Sequence, residues 1–164
     1  MDYSLGALKL LCRQLKDARG TPSHPTANLG GILFQRAWLQ GILVSVDKEN
    51  GKLILDDATG TVELSLSRDF LLRPWSLGIF PTTSPFSFLL LHFELDSLAF
   101  FFCFCSGMYV MVVGAFLFRT NELPFIVVHK IIDLSKSPNR EAMWYLEVME
   151  AYKLFYEPLV EDFL

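Results

Sequence analysis

The side chains that could do chemistry are few. Asp56 and Asp57 stand side by side, and two carboxylates facing one substrate are the basis of acid–base hydrolysis. Neighbouring residues on a tight turn project apart, however, and Thr59-Gly60 completes such a turn, so the pair reads as turn residues. Cys12, Cys103 and Cys105 include a C-x-C pair with no second pair to complete a tetrahedral metal site, and an odd count suits a reducing compartment better than a disulfide framework. His24, His92 and His129 fall in no ligand or nucleophile pattern, no serine sits in a G-x-S-x-G elbow, and no glycine-rich phosphate loop occurs. The expectation is therefore a non-enzyme with no cofactor and no metal. Binding is the remaining chemistry. Trp144 and Tyr152, with Met143, Leu146 and Val148 around them, are types that serve protein interfaces and equally serve a core.

Those residues need a helix to carry them. Ser137 can cap it, Pro138 suits its first position, and Glu141 sits where the helix dipole favours an acid. The spacing predicts a helix over about 138–156 with an apolar stripe of Trp144, Val148, Tyr152 and Phe155, widened by Met143, Leu146 and Met149. That face is broader than one barrel end requires.

The rest of the chain reads as strands. Trp38, Gln40, Ile42, Val44 and Val46 alternate along one face of a strand from Arg36, with Gly41 free to relieve sharp coiling. Asn50-Gly51 turns the chain into Lys52–Leu55, Asp56–Gly60 turns it again, and Val62, Leu64 and Leu66 alternate in a third strand. Met108–Phe118 and Phe125–Ile132 supply two more, joined by Arg119-Thr-Asn-Glu122 and Pro124. Five strands within about 36–133, with a long excursion after the third, match the strand count of an OB barrel. Upstream, Leu5, Leu8, Cys12 and Leu15 make one stripe of a short amphipathic helix, and Gly20–Gly31, rich in glycine and proline, reads as a loop. A length of 164 residues suits a single domain.

Bulk charge narrows the partners. A net charge of -4 and a pI near 5.3 are wrong for a free-standing nucleic-acid binder. Lys52–Leu66 holds no aromatic and one basic residue, so the stacking platform of a single-strand-binding OB fold is missing. Lys9, Arg13, Lys16, Asp17 and Arg19 interrupt the N-terminal leucines, which excludes a signal-peptide core there.

Ile79 to Ser106 stands apart, with eight of the fifteen phenylalanines and no Lys or Arg. Leu98 to Phe118 carries no charge and is long enough for a membrane helix, which makes a membrane-tethered protein the alternative. Against it, Tyr109-Val-Met-Val-Val113 is strand-like and Asp96, not a basic anchor, flanks the run. Phe100-Phe-Phe-Cys-Phe-Cys-Ser106 is also what a pyrimidine tract before a splice acceptor encodes. Excision from within codon 78 to within codon 107 keeps the frame and leaves one Gly between Leu77 and Met108. The expectation is a retained intervening sequence at 79–106, an apolar insertion not native to the fold.

Outside that stretch the chain carries Arg36-Ala-Trp-Leu-Gln-Gly-Ile-Leu-Val44, Leu55-Asp-Asp-Ala-Thr-Gly60, Gly107-Met-Tyr-Val-Met-Val-Val-Gly114, Lys130-Ile-Ile-Asp-Leu-Ser-Lys-Ser-Pro138 and Met143-Trp-Tyr-Leu-Glu-Val148. In this order the blocks resemble the RecQ-mediated genome instability protein 2 family, from about Leu8 to Tyr152 except across 79–106. The resemblance implies one OB domain with a C-terminal helix that does not itself bind DNA. It implies pairing with an OB domain of RecQ-mediated genome instability protein 1, in a manner similar to replication protein A subunits. It further implies a nuclear scaffold in DNA repair, replication and homologous recombination, serving a Bloom-type RecQ helicase and a type IA topoisomerase in double Holliday junction dissolution. Lys130, near the end of the fifth strand, is implied at the partner contact; Trp144, Met143, Leu146, Val148 and Tyr152 on the helix are the interface residues expected from their types and spacing.

Overall fold

Alternation of inward and outward side chains shapes the molecule. The computed structural model describes residues 6–21, 24–47, 49–67, 70, 104–119, 123–137 and 139–158. Leu5, His92, Cys103, Pro138, the 120–122 part of the strand connection and 79–103 of the apolar segment lie outside the described residues.

Five strands form a ring: β5 (Arg36–Asp47), β6 (Lys52–Asp56), β7 (Thr61–Ser65), β8 (Tyr109–Leu117) and β9 (Phe125–Asp133). Antiparallel pairing runs β5–β6–β7, β9 joins β7 in parallel with Leu64 opposite Ile126, and β8 bridges β9 back to β5. This is the pairing of an OB barrel. Its core is the inward set Leu39, Leu43, Leu53, Leu55, Leu64, Val110, Val112, Phe116 and Ile126, with Phe34 stacked on Phe116 at 5.7 Å. Non-local β pairing of this kind rewards branched and aromatic side chains on one face, which the alternation supplies.

β5 has two halves. Residues 36–42 pair with β8 and residues 42–47 with β6, so the strand must bend across the barrel corner. A side chain at Gly41 would meet the Asp56 carbonyl, which is why the corner needs glycine. A bulge between Leu43 and Ser45 then reverses the facing of the remaining strand residues. Val46 therefore packs against the core and does not share a face with Trp38, Gln40 and Ile42, as simple alternation predicts.

The N-terminal part differs from the expected helix. Ala7–Lys9 is a strand, β1, parallel to β5 beside Arg36–Trp38, and among the described residues of this part only Cys12–Asp17 is helical (α1). Where β6 has parted from β5, that edge is open, and pairing it outweighs local helix periodicity. Leu8, Leu10, Cys12 and Leu15 are buried all the same. The expected loop at Gly20–Gly31 is also corrected: β2 (Arg19–Thr21), β3 (His24–Leu29) and β4 (Ile32–Phe34) make a small antiparallel sheet. Its signal is faint because, among the residues whose burial is described, Ala27, Ile32 and Phe34 alone are its buried apolar positions.

Tyr109–Leu117 is a nine-residue strand hydrogen-bonded on both sides. This overturns Leu98 to Phe118 as a membrane helix, and among the described residues no helix is long and apolar enough to cross a membrane.

The C-terminal helix, α2, spans Arg140–Ala151 and continues as a wider π turn, Tyr152–Tyr156. Its cap is Asn139 at φ 66°, not Ser137. Asparagine tolerates the left-handed backbone that the sharp entry requires, and its carbonyl accepts the Met143 N–H at 2.9 Å.

Candidate partner interface on the C-terminal helix

The outer face of β5 is the floor on which α2 rests. Trp38 and Gln40 project outward there, and Trp144 lies over them, its ring 6.3 Å from that of Trp38. Trp144 is 1% exposed and Val148 3%, with Ala151 and Tyr156 completing the contact line. Positions 144, 148 and 151 keep to an α period whose next member is 155. The π turn inserts one residue, so Tyr156 turns inward and Phe155 is left 59% exposed.

Polar groups fix this seat. Lys9 lies on β1 and its Nζ sits 2.8 Å from Glu147 Oε2, 4.9 Å from the centre of the Trp38 ring and 5.9 Å from that of Trp144. The Lys9 backbone N–H donates to the Tyr156 hydroxyl at 3.0 Å. Arg140 reaches the second oxygen of Glu147 at 3.5 Å. The Tyr145 hydroxyl donates to the Asp57 carbonyl, while the Asp57 carboxylate accepts from the Cys12 N–H at 2.7 Å and from Thr59. Asp57 thus ties α1, its own turn and α2 together, and Ala58 beside it takes φ 66°. The two carboxylates are engaged as turn residues: Asp56 accepts from the Ala58 N–H at 2.7 Å.

Burial raises the Tyr145 hydroxyl above its ordinary range, with the Asp57 charge adding to the effect. Burial likewise pushes Tyr109 up to about 12, and Glu141 contributes. Cys12 is held far on the thiol side, first by burial and then by Asp57, so it lacks the thiolate that reactivity requires. These groups brace the seat.

The opposite face of α2 is unusual. Met143, Leu146, Met149, Tyr152, Leu154 and Phe155 are all exposed, and a run of large apolar side chains in water marks an interaction surface. The expected interface residues divide between two faces in this geometry. Trp144 and Val148 are filled in by the chain's own barrel, because the helix must bury one stripe to dock at all. Met143, Leu146 and Tyr152 do face outward. Lys130 is exposed on β9, near the end of that strand as expected, and the register Trp38–Val113–Lys130 puts it on the same outer barrel face as Trp38. Sequence reasoning missed Leu154 and Phe155 as surface residues, because nothing local announces the π turn. It also missed Lys9, whose place beside Glu147 arises only from the β1–β5 pairing.

The strands that would carry single-stranded nucleic acid are differently furnished. On β7, Glu63 holds Arg119 at 2.8 Å and Lys52 at 3.6 Å, and Arg119 also lies over the Phe125 ring at 3.7 Å. Arg119 and Lys52 are thus already engaged by a carboxylate. A groove of about 500 Å³ beside it is lined by Leu15, Ile54, Val62 and Leu123, with Cys12, Lys16 and Glu63 among its polar members. Among the described residues no three His, Cys, Asp or Glu converge on a metal-sized point.

Known proteins share this architecture. The family model for RecQ-mediated genome instability protein 2 matches residues 6–152. A chain in the solved S. pombe Stn1–Ten1 complex aligns with a TM-score of 0.69 at 15% identity, over 94% of this chain and 97% of that one. A chain of a replication protein A heterotrimer bound to single-stranded DNA aligns at 0.58 and 14% identity, over 89% and 94% respectively. At such identities the likeness is one of fold, and it is to OB-fold proteins.

Proposed function

Since the chain belongs to the RecQ-mediated genome instability protein 2 family, we propose that it is a non-enzymatic scaffold subunit that pairs through its OB fold and α2 with RecQ-mediated genome instability protein 1. Family membership makes it a genome-maintenance OB-fold protein. The finer reading is that the pair works in the nucleus with a Bloom-type RecQ helicase and a type IA topoisomerase, supporting double Holliday junction dissolution. The observation that carries it is the apolar outer face of α2, Met143, Leu146, Met149 and Tyr152, left uncovered after Trp144 and Val148 have been buried on the helix's docked side. Proteins of the same fold solved as a Stn1–Ten1 complex and as a replication protein A heterotrimer support assembly as this architecture's habit. The net charge of -4 and the Glu63-bound cations support a DNA role exercised through the partner.

Co-expression with the companion OB domain tests this. A soluble heterodimer is expected, and Leu146→Glu or Met149→Glu should weaken it by about 1–4 kcal/mol, the range of interface hot spots. Two separate monomers, or unchanged affinity in both variants, would sink the assignment.

A further inference from the structure

Beneath α2 lies a small, partly open void, about 10 Å³ in extent and lined by Gln40, Asp56, Tyr109, Glu141 and Trp144 among others. That is the room one water needs. Gln40 and Trp144 are 0% and 1% exposed. The Gln40 Oε1 accepts from the Tyr109 hydroxyl at 3.3 Å, which leaves its Nε2 to be satisfied elsewhere. Neither Gln40 Nε2 nor Trp144 Nε1 meets an acceptor among the described residues, and buried donors are rarely left so. Trp38 Nε1 shares this condition but does not line the void.

We propose that one water molecule is a structural ligand of this seam, accepting from Gln40 Nε2 and Trp144 Nε1. The walls set the ligand class. Two N–H donors need an acceptor, which rules out a cation, and the acids Asp56, Asp57 and Glu141 around the void repel an anion. Water has two lone pairs for the two donors and two protons for the surrounding oxygens. It joins the barrel wall to the helix, and so fixes the roll of α2 that presents Met143, Leu146 and Met149. This consequence rests on the interface proposed above, whereas the bound water stands without it.

A water-selective rotating-frame Overhauser experiment on the ¹⁵N-labelled full chain, alone in solution, reads the site. The Trp144 indole N–H should show a direct cross-peak to water while resisting exchange into D₂O. The peak should persist in Tyr109→Phe and Tyr145→Phe, which remove hydroxyl protons that could relay it, and disappear in Gln40→Met. Absence of the peak in the wild-type chain, its loss in the tyrosine variants, or its survival in Gln40→Met would each overturn the proposal. A failure of partner binding, measured separately, would remove the interface and leave this result untouched.

Discussion

The ammonium of Lys9 contacts Glu147 at 2.8 Å and lies over the Trp38 ring, so one cation joins the first strand to the C-terminal helix across most of the chain. The side chains of the pair are 28% and 22% exposed, and partly exposed ion pairs contribute little, commonly below ~1 kcal/mol. Lys9→Met keeps the stem over the indole and deletes the charge. It should lower the urea midpoint only slightly, with a loss on that scale, and the loss should shrink in high salt. A drop several times larger, independent of salt, would show that the stem and not the charge holds the helix.

Trp144 and Leu146 lie two residues apart and should behave oppositely. Trp144→Ala empties the space between α2 and the barrel and should cost about 3–5 kcal/mol in the isolated chain. Leu146→Ala, on the exposed face, should leave the unfolding free energy within ~0.5 kcal/mol yet weaken partner binding. Chemical denaturation of the chain alone, beside titration calorimetry of the pair, separates the two. Equal destabilisation by both would mean that the outer face is packed as a core.

Much of this division was legible in the residues. Asn50-Gly51 placed the turn that Gly51 makes at φ 64°, and the alternation of Val62, Leu64 and Leu66 gave a core edge that is indeed buried. A helix around Trp144 and Val148 came out of period 3.6. What the residues did not announce depends on distant pairing. β1 forms because β5 offers an open edge, and β3 because β2 and β4 flank it. Phe155 and Tyr156 exchange places because a single inserted residue turns the helix, and period counting assumes a constant turn. The partition of the apolar helix into docked and outward faces was therefore only half readable: Met143, Leu146 and Tyr152 fell outward, and Trp144 and Val148 inward.

Gly114 makes a second test of the barrel. A side chain there would collide with the Val127 carbonyl and the Ile126 methyl, where β8 and β9 shift register between Val113 and Gly114. Backbone cannot yield as a flexible side chain can, so Gly114→Ala should destabilise by about 1–3 kcal/mol. Thermal melts of the variant read the effect directly, and a melting point equal to wild type would mean that the β8–β9 contact is looser than its register implies.

Acid should act through Glu63. Its hydrogen bond from Arg119, with Lys52 helping, holds the carboxyl below the usual range. A carboxyl depressed in the folded state adds stability that is fully present above its unfolded value, roughly 4.3, and disappears as pH falls through the folded value. Below that unfolded value the wild-type chain should therefore lose stability more steeply than Glu63→Gln, and the two slopes should agree at neutral pH. Urea midpoints measured from neutral to strongly acidic pH decide it, and parallel slopes throughout would leave Glu63 without this role.

The apolar segment yields the last prediction. Of 79–106, Phe104 is buried in the core and the Ser106 hydroxyl donates to the Val44 carbonyl at 3.2 Å. The junction into β8 is held by backbone: Gly107 N–H donates to the Leu43 carbonyl at 2.8 Å and Leu43 N–H to the Met108 carbonyl at 2.9 Å. A chain with a single Gly between Leu77 and Met108 keeps a glycine for the left-handed backbone that Gly107 adopts at φ 94°. The ring of strand pairs uses none of residues 104–106, so the shortened chain should fold and bind its partner with unchanged affinity. Loss of the Phe104 contacts should cost about 1.5–3 kcal/mol, against which removal of a phenylalanine-rich run lessens aggregation. Size-exclusion profiles and denaturation of both forms, beside the sequence of the spliced transcript, test whether the segment is native. A short form that precipitates while the long form stays monodisperse, or transcripts that all retain the segment, would make it an integral part of the protein.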